Sequence, residues 1–140
     1  MENSIHLQYT VDGTDFTKAG EASSDVKHKL KKLNVPTDAI RRIAIAMYEG
    51  EINMVAHADG GTIDVDIYED KLTMVLDDVG PGIQDVDLAI QEGYSTASQE
   101  VRSLGFGAGM GLPNMKRSSD EMKIETEINV GTKITMTVYY

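Results

Sequence analysis

The sequence contains no cysteine, which excludes disulfide cross-links and thiolate metal sites together. It is also short of positive charge: 13 Lys and Arg stand against 23 Asp and Glu, a formal net charge of −10. A sequence-independent grip on nucleic acid or anionic lipid needs clusters of Lys and Arg. Neither partner is expected, which leaves small molecules and proteins. No apolar run approaches the roughly 18 residues that span a bilayer. The first residues, MENSIHLQYTVDG, lack the basic and apolar regions of a signal peptide. The expectation is a soluble cytoplasmic protein. At 140 residues the chain fits one domain, residues 1–140, with a single hydrophobic core.

What is present is a succession of periodic patterns. In IHLQYTVDG, Ile5, Leu7, Tyr9 and Val11 alternate with His6, Gln8 and Thr10, the period of a half-buried strand. From Thr14 to Leu33, Phe16, Ala19, Val26, Leu30 and Leu33 recur at helical spacings until Pro36. Thr37 offers an N-cap, and DAIRRIAIAMYEGEINMVAHA continues as a long helix closed by Asp59-Gly60-Gly61. The segment GTIDVDIYEDKLTMVLDD reads as a hairpin with one wet, acidic face. Residues 79–111 are rich in Gly, Ser and Gln around a short helix at DVDLAIQEG, and so long a connection suits a lid. LPNMKRSSD predicts a short helix, and MKIETEI and GTKITMTVYY predict two strands turned at Asn129-Val130-Gly131. The sum is an α+β two-layer sandwich: a mixed, mostly antiparallel sheet of about five strands, covered on one face by helices.

Four places carry chemistry. At about 100° per residue, Ile40, Ile43, Met47, Met54 and Ala58 form one stripe of the long helix, while Glu49, Asn53 and His57 follow one another on another face. A carboxylate can accept a proton from a hydroxyl or water, and a carboxamide oxygen suits Mg²⁺; alternatively, the pair lies on a solvated face. In LDDVGPGI, strand parity turns Asp78 toward the face the helices cover and Asp77 toward solvent. A buried carboxylate needs a donor, which an adenine amine or backbone N–H groups can supply, and Gly80 and Gly82 let the chain pass close to a flat ring. In GFGAGMGLPNM, glycines at 105, 107, 109 and 111 precede a helix start, an arrangement that suits phosphate or a plain flexible loop. No Gly-Lys-Ser/Thr follows, so this is not a P-loop. Finally, Thr132 shares parity with Ile134, Met136 and Val138, so its hydroxyl points inward, toward Asp78 or the backbone.

In this order, over about residues 37–138, the four features resemble the N-box, the Asp-x-Gly-x-Gly box, the Gly-x-Gly box and the terminal Gly-Thr of the GHKL ATPase/kinase superfamily. The N-terminal strand and helix, NMVAHA, GMGL and GTKITMTV look most like the bacterial anti-sigma-factor serine/threonine kinases. The resemblance implies the histidine-kinase-type ATPase fold, ATP and Mg²⁺ as cofactors, and an ATP lid over residues 84–108. It implies that Glu49 is the general base, Asn53 a Mg²⁺ ligand, Asp78 the adenine reader, and Gly80 and Gly82 the turn beneath the base. Gly107, Gly109 and Gly111 would then lie on the phosphate side and Thr132 on the adenine side. It further implies transfer of the ATP γ-phosphate to a serine of an anti-anti-sigma-like partner, a sigma factor as captive, and a capacity to form a homodimer.

Two other functions compete with that kinase. One is a nucleotide-responsive switch that binds a partner in one state and has little kinase activity. The other is the catalytic half of a histidine kinase, for which no phosphoacceptor segment is expected before residue 37. The chain departs from the resemblance at Gly50-Glu51, where relatives carry small or apolar residues, and in the longer glycine-rich SLGFGAGMG. Glu51 falls beside the Met47/Met54 stripe, so it is expected either to pair with a basic side chain of the first helix or to mark a shifted core.

Overall fold

The alternating segments pair into one five-stranded sheet in the order β1-β2-β3-β5-β4. The strands are β1 (Ile5–Asp12), β2 (Gly60–Ile67), β3 (Lys71–Asp78), β4 (Glu121–Glu127) and β5 (Gly131–Tyr139). In this computed structural model the described residues are 4–14, 18–56, 58–83, 85, 86, 90 and 111–140. Every neighbouring pair of strands is antiparallel. One sheet face carries Ile63, Val65, Leu72, Met74, Leu76, Ile134, Met136 and Val138, all buried. Helices α1 (Glu21–Lys32), α2 (Thr37–Ala56) and α3 (Gly111–Ser118) cover that face. The other face is polar, with His6 against Asp64 and Asp66 across β1 and β2. The expected two-layer α+β sandwich is therefore the observed one. No helix among the described residues is long and apolar enough to cross a membrane.

The first helix starts later than its apolar spacing predicts. Asp12 accepts hydrogen bonds from the backbone N–H and the hydroxyl of Thr14, at 2.9 and 2.6 Å. Thr14 thus belongs to an Asx turn that continues β1, not to a helix. α1 begins at Glu21 behind Gly20, whose φ of 100° is left-handed and which offers no side-chain cap. Phe16 lies outside the described residues. At the other end, Asn34 turns left-handed at φ 60° and the N–H of Val35 returns to the carbonyl of Leu30, closing the helix before Pro36. The N-cap of α2 is also shifted by one: the carbonyl of Pro36 accepts from the N–H of Ile40, so Thr37 is already helical.

Glu51 supplies the cap that α1 lacks. It is 2% exposed, and its two carboxylate oxygens accept the backbone N–H groups of Gly20 (3.0 Å), Ala22 (3.2 Å) and Ser23 (2.6 Å). The first helix therefore meets Glu51 with its N-terminal amides, and not with the basic side chain expected from the sequence. The core is not shifted either, since Met47 and Met54 are both buried. Orphan amides and the positive end of the helix dipole together compensate the burial of the charge.

Gly50 is explained by the neighbouring strand. A Cβ there would lie 2.0 Å from Leu76 Cδ2 and 3.6 Å from Met115 Sδ, so glycine lets α2 settle onto β3 and α3. Glu51→Ala leaves the amides of Gly20, Ala22 and Ser23 without this acceptor and should lower the unfolding free energy by about 3 kcal/mol or more. Glu51→Gln keeps one oxygen acceptor and should cost about half as much; urea denaturation of the two variants and wild type checks the order.

Candidate functional site

The C-terminal half of α2 runs over β3, and this positions the polar residues. Gly50 sits on Leu76, and one turn later the terminal methyl of Met54 reaches Gly61, the register partner of Asp78. The end of β3 and the middle of α2 thus close on the same region. Glu49 and Asn53 lie on the flank of α2 that faces α3.

Asp78 is half-buried at the end of β3 on the helix-covered side, while Asp77 is exposed. Its Oδ1 accepts the backbone N–H of Thr132 at 2.8 Å, and its Oδ2 has no donor among the described residues. Burial pushes its carboxyl above the usual carboxylate range, the Thr132 N–H opposes this, and the charge of Asp77 adds to it. The structure has left an acceptor partly desolvated and half satisfied. Such a group suits a ligand that brings its own donor.

The chain beyond Asp78 is fixed by the β4–β5 hairpin. Gly80 N–H donates to the Val130 carbonyl, and the Pro81 carbonyl accepts from Asn129 N–H. Gly82 has φ +78°, and a Cβ there would lie 2.6 Å from the Glu127 carbonyl oxygen. Both the left-handed backbone and the close approach require glycine. Thr126, not anticipated from the sequence, links the parts: it accepts from Ile83 N–H at 2.8 Å and lies 3.0 Å from the hydroxyl of buried Thr132. It was readable in principle, since a turn at 128–130 puts Thr126 opposite Thr132 in register.

On the other flank, Glu49 Oε1 accepts from Nδ2 of Asn114 at 3.0 Å, a partner the sequence did not suggest. Asn53 makes no hydrogen bond with the described residues and faces Gly111, where a Cβ would come 2.9 Å from Asn53 Oδ1. Gly111 therefore opens space beside the carboxamide. Among the described residues no group of three or more His, Cys, Asp or Glu is placed to hold a metal, and the carboxamide oxygen of Asn53 is a hard donor beside that space. That is consistent with Mg²⁺, which retains waters and binds phosphate oxygens. Gly107, Gly109, His57 and nearly all of residues 84–108 lie outside the described residues.

Residues 39–139 match the model of the histidine kinase-, DNA gyrase B- and HSP90-like ATPase family. The chain belongs to this family. Its relatives include the anti-sigma F factor of Caldanaerobacter subterraneus subsp. tengcongensis, 33% identical over 74% of this chain and 64% of that protein. The serine/threonine-protein kinase RsbT of Bacillus subtilis is 32% identical over 74% of this chain and 75% of its own. The anti-sigma F factor of Geobacillus stearothermophilus is 26% identical over 100% of this chain and 94% of its own. The chain spans 64% of the length of the first of these. The fold is shared with the crystal structure of the RsbU and RsbW domains of Rv1364c from Mycobacterium tuberculosis, at a TM-score of 0.62 and 16% identity over 96% of this chain and 31% of that one. This is a GHKL-type domain related to the bacterial anti-sigma-factor serine/threonine kinases, and such domains bind ATP.

Within this GHKL domain the ionised form of Asp78 is a cost to folding. Its raised pKa means that folding favours the protonated form. That contribution is fully present below the ordinary value of 3.8 and is lost as pH rises through the elevated one. Asp78→Asn retains an acceptor for Thr132 and removes the desolvated charge. Its melting temperature at pH 7 should equal or exceed wild type by a few degrees, about 1 kcal/mol or less, and the gap should close as pH falls through the raised pKa. Thermal melts across the acidic range check both parts.

Proposed function

We propose that the domain binds Mg-ATP between α2, α3 and the end of β3 beside the start of β5, and acts as a serine/threonine kinase of the anti-sigma-factor type. The observation that carries this is Asp78: a half-buried carboxylate with one oxygen held by Thr132 and the other without a described donor. An adenine exocyclic amine is the kind of donor that position accepts. Gly80 and Gly82 shape the turn beside it, and Thr132, anchored through Thr126, completes the wall. Asn53 would hold Mg²⁺, and the N-terminus of α3 at Gly111, with Gly107 and Gly109, would lie toward the phosphates. Bound Mg-ATP supplies an electrophilic phosphoryl group whose negative charge is partly neutralised by the metal.

Glu49 acts on the acceptor. Its Oε1 is held by Asn114, and its Oε2, with no donor among the described residues, takes the proton from an incoming serine hydroxyl. The acceptor serine belongs to an anti-anti-sigma-like protein; the sequestered partner is a sigma factor, as the name of the anti-sigma F factors suggests. A cytoplasmic location, one domain over residues 1–140, a lid over 84–108 and a homodimer complete the proposal.

Titration calorimetry with ATP, with and without Mg²⁺, tests the site: wild type should bind, and Asp78→Asn should lose about 10- to 100-fold in affinity, the worth of a charge-assisted hydrogen bond. Absence of binding by wild type would refute the proposal. Incubation with Mg-ATP and a cognate anti-anti-sigma protein should yield phosphoserine, reduced about 10²- to 10⁴-fold in Glu49→Ala with ATP affinity retained. Tight nucleotide binding with no transfer would support the partner-binding switch instead.

A further inference from the structure

Glu49 is gripped by Asn114, which follows the glycines of GFGAGMGLPNM. Asn114 lies one helical turn beyond Gly111 on α3, and its Nδ2 donates to Glu49 Oε1 at 3.0 Å. The Asn114 oxygen accepts from Nη2 of Arg117, one turn further on. A guanidinium can only donate. The amide oxygen of Asn114 must therefore face Arg117, and its NH₂ must face Glu49. Arg117 thus settles which way the amide points, and the amide settles which carboxylate oxygen of Glu49 is occupied.

The same helix touches the second functional side chain of α2, because Gly111 packs on the Asn53 carboxamide. α3 is in turn anchored in the core by Leu112 and Met115, both buried. One rigid element therefore sets the surroundings of Glu49 and Asn53 together.

We infer that Asn114, oriented by Arg117, is the positioning residue for Glu49: it holds Oε1 and turns Oε2 toward the acceptor hydroxyl. This rests on the kinase reading of Glu49, but the contact itself can be measured without activity. A general base contributes only within hydrogen-bond reach and in the correct orientation, so an untethered carboxylate loses turnover and not nucleotide affinity. Asn114→Ala should lower kcat for phosphotransfer about tenfold, the effect of roughly 1.4 kcal/mol on a barrier, with KM for ATP within about twofold. Asn114→Asp places a like charge against Glu49 and should lower kcat further.

Melting temperatures establish that both variants are folded. In the absence of any substrate, the side-chain amide NMR signals of Asn114 should move in Glu49→Ala. Unchanged kcat in folded Asn114→Ala and Asn114→Asp would overturn the inference, as would amide signals indifferent to Glu49→Ala. If wild type transfers no phosphoryl group, the kinase reading fails alone, and the amide signals still decide whether Asn114 holds Glu49.

Discussion

The carboxylate of Glu51 is the interaction on which the geometry of the domain depends. A charge buried this deeply costs several kcal/mol unless its lone pairs are met, and here they are met by three backbone amides at the start of α1. The exchange is mutual. α1 has no cap of its own because Gly20 brings no side chain, and α2 carries a buried carboxylate whose donors among the described residues are these three amides. Where α1 begins and how α2 is rotated are therefore one choice, made by one side chain.

That rotation distributes the faces of α2. Gly50 meets Leu76, Met54 meets Gly61 beside Asp78, and Glu49 and Asn53 are left on the flank that α3 closes. Glu49 and Glu51 are two residues apart yet lie roughly 160° apart around the helix. One faces the region proposed for chemistry and the other is spent on structure. The contact of Gly50 with Leu76 requires glycine at a mid-helix position where it costs about 1 kcal/mol relative to Ala. The compensation is tertiary: a Cβ here would come 2.0 Å from Leu76 Cδ2, so glycine lets that methyl pack under α2.

Much of this was legible in the sequence because it depends on periodicity. The two-residue alternation located the five strands, and strand parity turned Asp78 and Thr132 toward the helices and Asp77 away from them. Of the predicted helical stripe, Ile40, Ile43, Met47 and Met54 are buried, while Ala58 falls beyond the end of α2 at Ala56. The start of α1 was not legible, since its cap is supplied from 31 residues or less downstream in another helix and the Asx turn at Asp12 competes for Thr14. Asn114 was not legible either. It lies 65 residues from Glu49, and no local pattern distinguishes it from any polar residue on a short helix. Thr126 was within reach of register counting, but only after the β4–β5 turn had been placed.

The two flanks of the candidate site are held by different means, and the difference fits their proposed roles. The Asp78 flank is fixed largely through the backbone: Val79 and Gly80 N–H groups donate to carbonyls of Gly60 and Val130, Asn129 N–H to Pro81, and Ile83 N–H to Thr126. These bonds lie beyond the end of β3 and tie the turn at 79–83 to the start of β2 and to the β4–β5 hairpin. A surface that reads a flat, rigid base benefits from that, because its donors and acceptors must already be in place before the ligand arrives. The Glu49 flank is held, among the described residues, by side-chain hydrogen bonds through Asn114 and Arg117. A proton acceptor has to exchange hydrogen-bond partners during a turnover, and a side-chain tether on one oxygen allows the other to do so. Rigidity is thus concentrated where recognition is proposed, and adjustable contact where proton transfer is proposed.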